Sequence, residues 1–413
     1  MEQELTAFHA ALMKYGKEPY EKKNNWFDTF LQLEHLIEQS GIEGKKVIFI
    51  DEMPRLDTPK SKFLPALEYL WNSYASANPD ILLVVCGSAT SWIVKNVLKN
   101  TQGLFNRVTR QMYLEPFTLR ETELFFQDRG IIFNRYNIIE SYMIFGGIPY
   151  YLDLFDSTYG LPKNIDMIFF GPNALLKNEY QNLFNTLFKN AENHHRIVTA
   201  LAKKSAGMTR EELLAATKIK NGGTFTDALE DLQLSGLIRK YNKYLKKSKG
   251  VVYQLMDAFV LFYYRFLKDG VINDENYWSN SYDRGAHNAW AGYAFEQVCL
   301  KHQQQIRQAL GIAGVAADIF FWRSNSKENH AQIDLVIDRR DQIINLCEIK
   351  YATREYEITK AYSETLEKKV LSFLSETKTK KAIRTTLITT YGVAPTPYQH
   401  AVQSFLTMND LFG

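Results

Sequence analysis

The sequence predicts a multidomain α/β protein, and three observations predict it. Two short apolar runs, "VIFI" at 47–50 and "ILLVV" at 81–85, flank a helical stretch, and each leaves polar residues at its C-terminal end. Strand, helix, strand with polar exits is the logic of an α/β layer, whose ligands sit at those exits. Residues 190–256 then change to a rhythm of three helices and a hairpin, and residues 286–413 return to strands between helices.

Each element has its own signal. Residues 1–44 read as helices, with apolar positions at helical spacing in "FLQLEHLIEQSGI". "SKFLPALEYLWNSYA" is the helix between the two strands, and "MYLEPF" at 112–117 reads as a short third strand. From Thr118 to about Tyr180 the pattern is helical, broken at "FGGIPYYL". Thr209 with Glu212 three residues on makes a capping box for the helix "REELLAAT". The Gly-Gly turn at 222–223 opens the helix "TFTDALEDLQL", and "IRKYN" and "GVVYQL" are hairpin strands across a basic turn. Three helices and a hairpin are a winged-helix pattern. The domains expected are 1–117, 118–189, 190–268, a polar, Asn-rich linker at 269–285, and 286–413.

Composition narrows the function classes. The 413 residues carry a formal charge of +3, which says little about partners. The runs "ILLVVCG" and "DAFVLFYYRFL" are too short or too charged to span a bilayer. An acidic, polar stretch follows Met1 where a signal peptide would be apolar, so a cytoplasmic protein with no membrane partner is expected. Cys86, Cys299 and Cys347 are too far apart to form a zinc knuckle or a disulfide framework.

The stretch "AQIDLVIDRRDQIINLCEIKYA" is the most chemically loaded. Strict alternation puts Ile333, Leu335 and Ile337 on one face and Gln332, Asp334 and Val336 on the other. A hairpin that pairs residue 334 with 348 presents Asp334, Glu348 and Lys350 together, whereas a one-residue slip separates them. A buried carboxylate pair calls for a cation. Oxygen ligands suit Mg²⁺ or Mn²⁺, so Asp334 and Glu348 are the candidate metal ligands. Lys350 would then orient a water or stabilise a pentacovalent phosphate, which is metal-assisted phosphodiester hydrolysis. An ordinary hairpin with a surface Glu–Lys pair would carry the same E-x-K.

Between 191 and 250, Lys and Arg outnumber Asp and Glu about two to one. Lys220, Lys243, Lys246 and Lys247 fall where a winged helix meets phosphates, and Thr224 could reach a groove or backbone. DNA is therefore an expected partner. The helix itself is acidic ("DALED"), which argues against deep groove reading.

Asp51-Glu52 at the end of the first strand is the pair that a phosphate-loop ATPase uses for its Mg²⁺ shell and attacking water. The motif G-x-x-x-x-G-K-S/T that such a pair needs is absent from the sequence. In order, "KKVIFIDEMPRL", "LLVVCGSATSW", "GLFNRVTRQMYLEPF", "FGGIPYYL", "GGTFTDALEDLQLSGLI" and "YQLMDAFVLFYYRF" resemble motifs of the prokaryotic AAA/STAND-like ATPases that carry a C-terminal nuclease-like domain. The resemblance implies a truncated AAA-like sheet, a helical lid at 118–189, a winged helix and a restriction-endonuclease-like α/β domain. It gives Asp51 and Glu52 the metal and water roles and Ser88 the polar sensor position. Arg107 or Arg110 would face the γ-phosphate. Since that family's phosphate loop precedes the point where this sequence starts, the nucleotide site is expected to be vestigial. ATP is then not expected to bind unless another segment completes the site, and a protein partner or second copy would cover the shortened sheet. Asp334, Glu348 and Lys350 are similar in order and spacing to the PD-(D/E)XK nuclease superfamily, and Glu296 sits where that superfamily often adds an acid. The motif's proline is missing, since Ile333 precedes Asp334.

Overall fold

The computed structural model describes residues 2–16, 20–99, 104, 106–244, 251–269, 274–281, 285–324 and 331–413. They fall into two compact units, one of residues 1–113 with 183–190, the other of residues 114–182 with 191–413.

The first unit opens with the helices Glu2–Tyr15 and Trp26–Gln39. The second begins at Asn25, whose side chain accepts from the Asp28 N–H as an N-cap should. Trp26, Phe30, Leu33 and Ile37 recur at helical spacing and are all buried. Two parallel strands follow, β1 (Lys46–Ile50) and β2 (Ile81–Val85), paired Lys46 to Ile81 through Ile50 to Val85. Side chains alternate across a strand, so Ile48, Ile50, Leu83 and Val85 enter the core with Trp26, Phe30 and Phe63. The other face is open: Val47 is 62% and Phe49 60% exposed.

The expected third strand is not formed. Residues 112–117 run as loop, and Met112 and Leu114 are exposed. Without burial of those side chains there is nothing to hold the segment on the sheet, and Pro116 could not donate to a ladder.

In the second unit the helix Leu119–Asp128 starts at a Thr118/Glu121 capping box, and Arg135–Phe145 starts at Asn134. The predicted break at "FGGIPYYL" is a pair of left-handed glycines, Gly146 and Gly147. A Cβ on Gly147 would lie 2.3 Å from the Phe117 carbonyl oxygen, so only glycine permits this approach. The helices Glu192–Ala202, Arg210–Thr217 and Gly223–Leu234 lead into the antiparallel pair β3 (Ile238–Asn242) and β4 (Val251–Leu255). The Thr209/Glu212 capping box is present. Past Asn242 the chain joins a larger sheet, where the Tyr244 N–H donates to Phe321 O at 3.2 Å.

Among the described residues that sheet has five strands in chain order: β5 (Ala317–Arg323), β6 (Gln332–Arg339), β7 (Ile343–Lys350), β8 (Ala382–Thr389) and β9 (Ser404–Leu406). The first two pairings are antiparallel and the last two parallel, with the helix Lys360–Thr377 crossing from β7 to β8. The helix Gly285–Lys301 packs on β7. It ends at Lys301, and a separate helix, Gln303–Ala309, follows His302.

Among the described residues no helix is long and apolar enough to cross a membrane.

Candidate functional site

The β6–β7 ladder is described from Asp338 opposite Ile344 to Leu335 opposite Cys347. One further step in that register sets Asp334 against Glu348. On its other side β6 departs from strict alternation. Between the pairs Phe320–Val336 and Trp322–Ile333, β5 advances two residues while β6 advances three. The extra residue falls at Asp334-Leu335, and such a bulge re-aims a side chain. Ile333 and Val336, which strict alternation would set on opposite faces, consequently share one core cluster with Ile344, Leu346 and Phe373. Asp334 Oδ2 accepts from the Ile349 N–H at 3.0 Å, so a carboxylate takes the place of the next ladder acceptor.

Glu348 is 2% exposed, on the same face of β7 as the core residue Leu346. Its Oε2 accepts from Lys369 Nζ at 2.6 Å, and Lys350 Nζ stands 4.0 Å from the same oxygen. Its Oε1 is buried with no hydrogen-bond partner among the described residues. Burial, and then the Asp334 charge, push the Glu348 carboxyl up to about 7. Glu296, on the helix Gly285–Lys301, is pushed up to about 8 by burial and then by Asp334, with Arg239, Lys350 and Glu348 also within electrostatic reach. The structure thus brings Glu296, Asp334, Glu348 and Lys350 into one neighbourhood at the end of β7.

Two residues of this neighbourhood were not singled out from the sequence. Lys369 and Tyr362 lie on one stripe of the helix Lys360–Thr377 with the buried Leu366 and Phe373. The Tyr362 hydroxyl is buried without a partner among the described residues, and Lys350 Nζ lies 5.5 Å from its ring centre. The available signal was a lysine on the apolar stripe of an amphipathic helix.

Among the described residues no three His, Cys, Asp or Glu side chains form a ready metal cage. Mg²⁺ does not demand one, because it commonly keeps several waters and binds through one or two carboxylates. The open Glu348 Oε1 beside Asp334 fits that mode.

In the first unit the carboxylates are already engaged. Asp51 Oδ1 accepts from the Cys86 thiol at 2.7 Å and from the Glu52 N–H at 2.9 Å. Glu52 accepts from the Ser88 N–H at 3.1 Å and the Ser88 hydroxyl at 3.0 Å. Glu52 holds the left-handed conformation, φ 48°, to make this turn. Arg107 and Arg110 are exposed.

Of the candidate nucleic-acid contacts, Lys220 and Thr224 are exposed at the entry to Gly223–Leu234. Lys243 is half-buried where the chain bridges to Phe321, so its backbone is fixed to the large sheet. Lys246 and Lys247 lie outside the described residues. Arg239 turns inward, its Nε donating to Gln254 Oε1 at 2.9 Å.

No protein-family profile and no curated protein sequence matches the chain. Among solved structures, a Walker-type ATPase of Pyrococcus abyssi is similar to it with a TM-score of 0.43 and 16% identity, over 64% of this chain and 77% of that one.

Proposed function

We propose that the protein is a DNA-associated, metal-dependent nuclease of the PD-(D/E)XK kind, joined through a winged helix to an ATPase-like module. The observation that carries this reading is the buried Oε1 of Glu348, unpartnered among the described residues, together with an Asp334 aligned by a backbone N–H. A buried carboxylate oxygen with no donor is unfavourable unless a cation or water completes it. Asp334 and Glu348 would hold Mg²⁺ or Mn²⁺, and the ion would supply charge stabilisation at the phosphate and a more acidic water. Lys350, more exposed than Glu348, would meet the incoming phosphate or its attacking water. Glu296, with its raised pKa, holds a proton near neutral pH and can exchange it with water at the site. The exposed Lys220 and Thr224 support phosphate contact by the winged helix.

ATP hydrolysis by this chain alone is not part of the reading. Asp51 and Glu52 are bonded to Cys86 and Ser88, and the sequence lacks the motif that would cradle phosphates.

The test is cleavage of single-stranded, duplex and branched DNA in Mg²⁺ and Mn²⁺, wild type against Glu348→Ala. Metal-dependent nicking by wild type alone supports the reading, and no cleavage of any substrate ends it. A second reading, a DNA-binding regulator without catalysis, is favoured by the Lys369–Glu348 ion pair, which can serve structure alone. It is recognised by salt-sensitive DNA retention that survives Asp334→Ala.

A further inference from the structure

Lys369 sits on the carboxylate that a metal ion would use, at Oε2 rather than at Oε1. Its ammonium lies 2.6 Å from Glu348 Oε2, and its side chain is 19% exposed. Lys350, the lysine of the E-x-K motif, is farther from that oxygen at 4.0 Å, 33% exposed and turned toward Tyr362. The ammonium nearest the carboxylate therefore comes from the helix Lys360–Thr377. Leu366 and Phe373, both buried, anchor that helix stripe on either side of Lys369.

We propose that Lys369 is the resident counter-ion of the carboxylate site. A divalent ion at Oε1 meets the charge of Lys369 at Oε2, so Lys369 sets the site's metal affinity. The inference rests on the reading that Asp334 and Glu348 receive such an ion. An ammonium on one carboxylate oxygen and a dication on the other repel each other, more strongly the lower the local dielectric. The lysine stem has four rotatable carbons and an outlet to solvent, so the charge can swing away when the ion arrives. Until then it keeps Glu348 from standing as a wholly uncompensated buried charge. Lys369 is on this account a positioning residue, acting through Glu348.

The test is calorimetric titration of the full chain with Mn²⁺ at fixed pH and ionic strength. Lys369→Met removes the charge and keeps most of the stem, and is expected to bind Mn²⁺ about tenfold tighter than wild type. Lys369→Arg keeps a charge and is expected to bind no tighter. A merely structural lysine would give the opposite sign, because its loss would loosen the site. Circular dichroism checks folding, and if Lys369→Met does not fold, Lys369→Gln is titrated with the same expectation. Affinity that depends on Glu348 but is unchanged or weaker in the neutral variant overturns the proposal while leaving the metal reading in place. Mn²⁺ binding indifferent to Glu348→Gln removes the metal reading and the role of Lys369 with it. No Mn²⁺ binding by wild type or variant overturns both.

Discussion

Glu296 and Glu348 are held above the ordinary carboxyl value, at about 8 and about 7, chiefly by burial. Between the unfolded value of 4.5 and those folded values the native state binds more protons than the unfolded chain. Stability of the metal-free protein therefore falls as pH rises through that window. Glu296→Gln removes one such group. Its melting temperature should match wild type near pH 5 and exceed it at pH 8, read by circular dichroism in the presence of a chelator. A gap that is constant across pH would remove the buried acid from the account. Divalent ion binding reverses the sense, because deprotonated ligands favour the ion and binding releases protons.

At the scale of elements, two joints place the site. His302 joins the start of the helix Leu119–Asp128 to the end of Gly285–Lys301: Nε2 accepts from the Leu119 N–H at 3.1 Å, and Nδ1 faces Val298 O at 2.8 Å. Only the neutral ring can accept at Nε2. Burial lowers its pKa from 6.5 to about 4, so its contribution is present at neutral pH and is lost as pH falls through that interval. His302→Leu is expected to cost about 2 kcal/mol at pH 7 by urea unfolding, with the difference shrinking toward pH 4. A pH-independent difference would mean that packing, not the hydrogen bonds, carries the effect. The second joint runs from Asn242 to Tyr244, where the hairpin chain meets β5 and Tyr241 packs edge-on to Phe321 at 4.4 Å. Through it Arg239 comes within electrostatic range of Glu296, so the hairpin contributes charge to the carboxylate neighbourhood.

Across the whole molecule, local patterns were legible and tertiary adjustments were not. "VIFI" and "ILLVV" announce β1 and β2, and Thr209 with Glu212 announces a helix start, because these signals need only near neighbours. The pairing of β6 with β7 was legible too, since a tight turn near 340–342 leaves few registers that keep both strands' apolar residues inside. The bulge at Asp334-Leu335 was hidden, because it exists only in relation to β5. Lys369 was only half legible: its place on the apolar stripe of its helix marks it as inward, but its partner Glu348 lies on another element that the stripe does not name. "MYLEPF" misled because β-prone residues form a strand only where an edge and a covering layer await them.

The central claim is that Asp334, Glu348 and Lys350 act as one phosphodiester-cleaving group. Nicking of supercoiled DNA in Mg²⁺ by wild type, Glu348→Ala and Lys350→Ala, followed on a gel with a chelator control, tests it most directly. The account predicts nicking by wild type that the chelator stops and that neither variant retains. Nicking that persists undiminished in Glu348→Ala, or no nicking by wild type, would contradict it.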